Sequence, residues 1–451
     1  MEKIIKDFEE KKVKKVKIAV ADIDGILRGK VISFEKFKSI VSNHFGFCNV
    51  VFGWDCADSA YENGTLIGWH TGYPDMKAYI DADTLRYIPW DEDIPFFLAD
   101  FSGKDVDHDF LSICPRTLLK QVIQKVDKNW GFTAMFSQEF EWFNFDETPE
   151  SIKDKRYVSP KPMTPGMFGY SILRTSLKSD FFNDLFDLLT QFDIPIEGIH
   201  TETGPGVYEA AIAYGEILQS ADRAVLFKTS VKEIAAKHGI TASFMAKWNE
   251  NLPGCGGHVH QSLWKDGINL FHDDQDPNAM SDIFKSYIAG QLYCLPHILP
   301  MLAPNINSFK RLVEGAWAPT TLTWGCDNRT VAFRALPGGS KSSRLECRVP
   351  GSDTNPYLVM AACLASGMYG IEHKLKLDQA AVKGNGYQET QYGVLPSSLW
   401  EATQQMKDSP IAEALFGATF VKHFCETREW ECKQHAKFVS NWEIERYFEI
   451  I

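Results

Sequence analysis

The 451-residue sequence has no CxxC pair, no apolar run long enough to span a bilayer, no surplus of positive charge and no phosphate-binding GxxxxGK[ST] loop. Each absence closes off a class of protein. Ten scattered cysteines without CxxC pairs fit reduced thiols in a cytosolic protein better than a disulfide framework or a zinc cluster. The opening "MEKIIKDFEEKKVKKVKIAV" is charged throughout and lacks the apolar core of a signal peptide. The most apolar long window, Tyr287 to Ala303, is broken by Gln291, Pro296, His297 and Pro300. The expectation is a soluble, cytoplasmic protein. A net charge of −12 argues against nucleic acid or an acidic membrane as the main partner, while leaving room for a small anion held by local arginines.

What is present is enough apolar sequence, 44% of residues, for more than one ordinary core. A short helix opens the chain. "VKIAVADIDGILRGKVIS" then alternates about Asp24-Gly25, which predicts a hairpin, and the sequence from there to about Asp100 reads as loop-rich. Pro115 starts a helical run closed near Gly131. The domain boundary is expected near 105–114, giving units 1–108 and 109–451. Beyond it, a strand-like "TAMFSQEFEWFNF" is followed by helices in "SDFFNDLFDLLTQFD", "ADRAVLFKTSVKEIAAKHG" and "NPYLVMAACLASGMYGIEHKL". This order predicts an α+β domain with helices packed on one side of a large sheet.

The chemistry gathers on short polar stretches. In "SQEFEWF", Glu139 and Glu141 leave one face of a strand and Phe140 and Trp142 the other. Two neighbouring carboxylates repel unless a cation joins them, although an edge strand with both acids in water reads equally well. Glu202 and Glu209 flank Gly204-Pro205-Gly206, a forced turn that can bring them together. "GCGGHVHQSLW" offers His258, His260 and Ser262. "SRLECRVPG" aligns Arg344, Glu346 and Arg348 on one face, either an ion-pair ladder or a metal carboxylate between two guanidiniums. Lys310, Arg311, Arg329 and Arg334 precede that ladder. Carboxylates with a single imidazole suit Mg2+ or Mn2+, and with arginines they describe phosphoryl transfer.

The order of these motifs (ExE, E-x(6)-E around GPG, GxGxHxHxS, NSxKR, NRT and RxExR) resembles the glutamine synthetase family over nearly the whole chain. The resemblance implies an α+β fold with a small N-terminal β-grasp domain and a large catalytic domain built on a curved antiparallel sheet with packed helices. It implies ATP, two or more Mg2+ or Mn2+ ions, a place in nitrogen metabolism, and a homo-oligomeric ring (hexamer or dodecamer) with active sites between subunits. One metal falls to Glu141, Glu202 and Glu209, the other to Glu139, His258 and Glu346. Glu197, His260, Ser262, Arg334, Lys341 and Arg344 fall where the family contacts ATP. Arg329 falls at the transferred phosphate, and Arg311, Arg348 and Gly254 at glutamate.

The departures cluster on the nucleophile side. The DGSS loop of ammonia-using members is replaced by "FGWDCADSAYENG", in which Asp55 and Asp58 are candidate substitutes from a neighbouring subunit. The flap glutamate is replaced by Trp317, and Glu314 lies three residues early. "PGCGGH" stands for the family's NGSGMH, with Cys255 expected as a small buried filler. The expected activity is therefore ATP-dependent formation of a γ-glutamyl amide through γ-glutamyl phosphate, using an organic amine as in γ-glutamylpolyamine and γ-glutamylalkylamine synthetases. The alternatives are an ammonia-using glutamine synthetase with a rebuilt ammonium site, a non-catalytic scaffold, and a guanidino kinase, which would leave a phosphoguanidine in place of an amide.

Overall fold

The computed structural model describes residues 1–101 and 112–451. The boundary expected between residues 108 and 109 lies outside the described residues. The strands are β1 (Lys15–Ala21), β2 (Leu27–Ser33), β3 (Phe45–Cys48), β4 (Asp75–Ile80), β5 (Arg86–Ile88) and β6 (Ile94–Asp100), forming one sheet in the order β2-β1-β6-β4-β3 with β5 on β6. The hairpin about Asp24-Gly25 is present as β1 and β2. The stretch read as loop to Asp100 instead holds β3 to β6. Strand β6, "IPFFLAD", is buried throughout. Phe97 and Ala99 face a core with Phe8, Phe34 and Phe37, while Phe96 and Leu98 face the core shared with the rest of the chain. Burial on both faces removes the alternation by which a strand is recognised.

The second sheet comprises β7 (Thr133–Phe145), β8 (Ile196–Thr201), β9 (Val207–Ile212), β10 (Gly215–Glu216), β11 (Thr241–Ser243), β12 (Gly257–Lys265), β13 (Ile268–Asn269), β14 (Trp324–Cys326), β15 (Phe333–Leu336) and β16 (Arg344–Cys347). Its order is β14-β15-β16-β12-β7-β9-β8, with β10 and β11 on β7 and β13 on β12. The pairing is antiparallel as expected, except that β14 runs parallel to β15. β7 is central, so the edge-strand reading of Glu139 and Glu141 does not hold. Beneath β7, Phe140 stacks on Phe227 with ring centroids 5.6 Å apart, and Trp142 packs edge-on against the same ring. Phe227 belongs to the helix Ile217–Lys237, which begins four residues before the predicted start at Ala221. Helices Pro115–Trp130, Ser179–Gln191, Asp282–Ile298 and Pro356–Glu372 add to this core.

Polar clamps join the two sheets. Arg116, buried at the start of its helix, donates to Asp100 at 2.6 Å and grips Asp222 through Nε at 2.8 Å and Nη2 at 2.9 Å. Asn355 accepts from the Tyr357 amide as the N-cap of Pro356–Glu372, and its Nδ2 donates to the carbonyls of Asp22 and Ile23 in the hairpin turn. Arg428, from the helix Ala418–Ala436, pairs with Asp24 in the same turn at 2.6 Å. Among the described residues no helix is long and apolar enough to cross a membrane.

His423 is buried in this last helix, and burial, with the charge of Arg428, pushes its pKa down to about 4 from 6.5. The unfolded chain takes up a proton below pH 6.5 that the folded chain refuses until about pH 4. Stability is therefore expected to fall by about 3 kcal/mol as pH drops through that window and to level off below it. Urea denaturation midpoints between pH 7 and 4 check this. A His423→Leu variant with an undiminished slope would assign the loss to other groups.

Candidate functional site

Strand register builds the site. β7 pairs Glu139 with His258 of β12 and Glu141 with Glu209 of β9. β9 pairs Glu209 with His200 of β8, and β16 pairs Glu346 with His260 on one side and Arg334 of β15 on the other. Alternation then sends all these side chains to the face opposite the Phe227 core. The Gly204-Pro205-Gly206 turn closes the β8–β9 hairpin, with the Glu202 amide bonded to the Val207 carbonyl at 2.9 Å. Gly206 is left-handed (φ 71°), and a Cβ there would strike the Asn144 carbonyl. At Gly256 a Cβ would meet the His258 side chain, with Nε2 at 2.6 Å.

The result is a cavity of about 470 Å³ lined by Glu139, Glu141, Glu202, Glu209, His258, Glu346, Gly254, Arg311, Arg329, Arg334, Arg348 and Trp317. Every expected metal and glutamate residue is there. Pro253, from the "PGCGGH" stretch, also lines it, as do Tyr170, Thr203 and Ala316, which were not anticipated. Tyr170 lies on a loop whose sequence, "MFGYSIL", carries no charge or spacing signal. His200 was likewise missed, being one polar residue in an unremarkable strand. Its Nε2 lies 3.7 Å from Glu209 and its Nδ1 3.8 Å from Glu202.

Glu346 is the most constrained acid. It is 1% exposed and accepts from Arg348 Nη1 at 2.6 Å and Arg334 Nη1 at 2.9 Å. Burial alone would raise its pKa, but Arg348 and the imidazoles of His260 and His258 hold it at about 2. Glu139 likewise resists burial: hydrogen bonds from His258 and His260 hold it well below the usual carboxylate range. Glu209 goes the other way, pushed far up by burial and by the hydrogen bond and charge of Glu139, with Glu141 and Glu202 adding to the repulsion.

Among the described residues, two groups present ligand atoms within 4.8 Å of one another: Glu139, His260 and Glu346, and His200, Glu202 and Glu209. These differ in detail from the expected sets. His260 Nε2 is nearer Glu139 (3.1 Å) than His258 Nδ1 is (3.8 Å), and His258 Nδ1 stands 3.5 Å from Glu346. Glu141 lines the cavity, but its Oε2 accepts from the Gly256 amide. Carboxylates with one or two imidazoles form a hard donor set that fits Mg2+ or Mn2+.

Five residues expected at ATP lie off the cavity. His260, Ser262 and Arg344 continue the same sheet face beyond the carboxylates, with Arg344 Nε donating to His260 Nδ1 at 3.3 Å. Ser262 accepts from the Trp264 indole at 2.9 Å. Lys341 is exposed just before β16, and Glu197 is exposed on edge strand β8 at a register shift. Asp55 accepts from the Ala57 and Ser59 amides and from the Trp430 indole, and Asp58 pairs with Arg28. Cys255 is fully buried, and burial pushes its thiol pKa well up, as a filler requires.

A family model described as the glutamine synthetase catalytic domain matches residues 112–447. The chain is 54% identical over 441 residues to type-1 glutamine synthetase 2 of Dictyostelium discoideum, covering 97% of this chain and 84% of that one. It is 37% identical over 452 residues to glutamate–isopropylamine ligase of a Pseudomonas species, covering 99% and 98%. A solved GmaS/ADP complex superposes with a TM-score of 0.85 at 25% identity, covering 99% of each chain.

Glu346→Gln keeps the shape and removes the charge. It is expected to weaken Mn2+ binding about tenfold or more, because the ligand and its orienting pairs go together. It should also lower stability by about 3 kcal/mol, since Arg334 and Arg348 lose their buried partner. Calorimetric Mn2+ titration and urea denaturation read the two effects, and an unchanged affinity would remove Glu346 from the metal site.

Proposed function

Because the chain belongs to the glutamine synthetase family, a ligase family that forms C–N bonds, we propose that it joins the γ-carboxylate of glutamate to an organic amine at the expense of ATP. A carboxylate acylates poorly, so ATP first phosphorylates it, and the amine then displaces phosphate from γ-glutamyl phosphate. Arg311, Arg348 and Gly254 hold glutamate. Arg329 meets the transferred phosphoryl group. Arg334 reaches the nucleotide, with Glu197, His260, Ser262, Lys341 and Arg344 along the face that leads away from the cavity. Divalent ions held by Glu141, Glu202 and Glu209, and by Glu139, His258 and Glu346, supply charge neutralisation for the phosphoryl group when bound.

Positioning follows from hydrogen bonds within the chain. Arg348 donates to Glu346, to the Arg329 carbonyl at 3.1 Å and to the Trp317 carbonyl at 3.5 Å, so one guanidinium registers the phosphate arginine and the amine-side wall against a metal carboxylate. Arg311 is fixed by the Val349 carbonyl at 2.9 Å. Preorganised cations of this kind stabilise charge without reorganising during the reaction.

One observation carries the choice of amine. Trp317, 58% exposed and held at φ 56°, lines the cavity, whereas Glu314 is exposed and off it. An indole removes no proton from ammonium but walls an alkylammonium by apolar and cation–π contact. The isopropylamine ligase supports this reading. The Dictyostelium relative, a glutamine synthetase by name, favours ammonia as the second reading. A scaffold has no use for five converging carboxylates. We further propose a homo-oligomer. Exposed apolar residues at Tyr157, Phe168, Ile172 and Leu173, and at Trp442, Phe448 and Ile450, suit subunit contacts.

ATP turnover with glutamate, Mg2+ and a panel of amines, with products identified by mass, tests the reading. A γ-glutamylalkylamide with ammonium inert is expected, and turnover with ammonium alone would overturn it. Trp317→Ala is expected to lower kcat/KM for the preferred amine about tenfold, while the KM for ATP stays within about twofold.

A further inference from the structure

A second and larger cavity, about 870 Å³, lies on the other side of the second sheet, between the helix Ile217–Lys237, strand β11, the hairpin turn and the helix Ala418–Ala436. Lys228, Lys232 and Lys310 line it. Lys228 and Lys232 are one turn apart on the same helix face, and their ammonium groups stand 5.9 Å and 5.8 Å from the Phe244 ring. Two like charges at this spacing oppose each other. Lys228 donates to the Thr354 carbonyl at 2.8 Å, leaving two of its three donors unused, and among the described residues none of the three lysines has a carboxylate within ion-pair distance.

Two of the cavity's acids have partners elsewhere: Asp24 is bound by Arg428, and Oδ2 of Asp353 accepts from Asn305 at 3.0 Å and Ser308 at 2.6 Å, while its Oδ1 has no hydrogen-bond partner among the described residues. Burial raises the pKa of Glu431. Burial and the charge of Lys232 push Lys228 down to about 7, and burial lowers Lys232. Among the described residues, three lysines therefore line an open volume with no carboxylate in ion-pair contact, in a chain whose net charge is −12. The short helix Ser308–Arg311 connects this volume to the first, since Lys310 lines one cavity and its neighbour Arg311 the other.

We propose that this cavity is a second anion site, which takes a small molecule carrying a carboxylate or phosphate group on Lys228, Lys232 and Lys310. It is separate from the cavity of Glu139 and Arg329, and the anion lies one residue from the arginine assigned to glutamate.

Acetylation of the intact protein, mapped by peptide mass, tests the site with inorganic phosphate and citrate as separate probes. At about ten times its dissociation constant, a bound probe is expected to slow acetylation of Lys228 and Lys232 about tenfold. Lys125, an exposed lysine outside the cavity, should react at an unchanged rate. Lys310→Met should cut the protection about threefold, and Arg329→Gln should leave it intact, which separates this site from the first cavity. Protection by one probe and not the other identifies the anion group. Rates at Lys228 and Lys232 that change no more than at Lys125 with either probe, or protection lost in Arg329→Gln, would overturn the proposal.

Discussion

Mutual repulsion among carboxylates is the constraint around which the second sheet is organised. Glu139, Glu141, Glu202, Glu209 and Glu346 converge on one cavity, and the strand order surrounds them with counter-charge. β16 brings Glu346 between β12 and β15, so that histidine and arginine flank it from both sides. At Glu209, burial and the neighbouring Glu139, Glu141 and Glu202 drive the carboxyl pKa up. Without the histidines and arginines, burial of these acids would cost more than a marginally stable fold can supply.

This arrangement requires an unyielding sheet, because opposed charges exploit any slack. The underside of β7 supplies it. Phe140, Trp142, Phe227 and Phe244 form a tight aromatic layer immediately below Glu139 and Glu141. Each strand residue thus either carries charge upward or packs downward, and a register slip of one would exchange the two sets. The site is precise because its acids have no alternative face.

Much of this was legible in the residues. The alternation in "SQEFEWF" gave the face of Glu139 and Glu141, the GPG turn gave the approach of Glu202 and Glu209, and "RLECR" gave the placement of Glu346. In the first sheet, β6 was not legible, because a strand buried on both sides loses its period. Tyr170 and His200 were not legible either. Tyr170 packs on His200, thirty residues along the chain, and His200 faces Glu209 across the β8–β9 hairpin, contacts that no apolar periodicity marks. The metal sets illustrate the same limit. His258 and His260 alternate onto one face, and only cross-strand geometry shows that both reach Glu139.

The clamp on the hairpin turn has a consequence for the order in which the molecule is assembled. Asp24 meets Arg428 across 404 residues of chain, and Asn355 reaches the same turn across 333. Contacts of such separation form late and slowly, since the chain between them must first be ordered. During synthesis Asp24 of the N-terminal hairpin would therefore wait for its partner until the helix Ala418–Ala436 has emerged. The same contact that rigidifies the finished protein is missing from its nascent form until nearly the whole chain has been made.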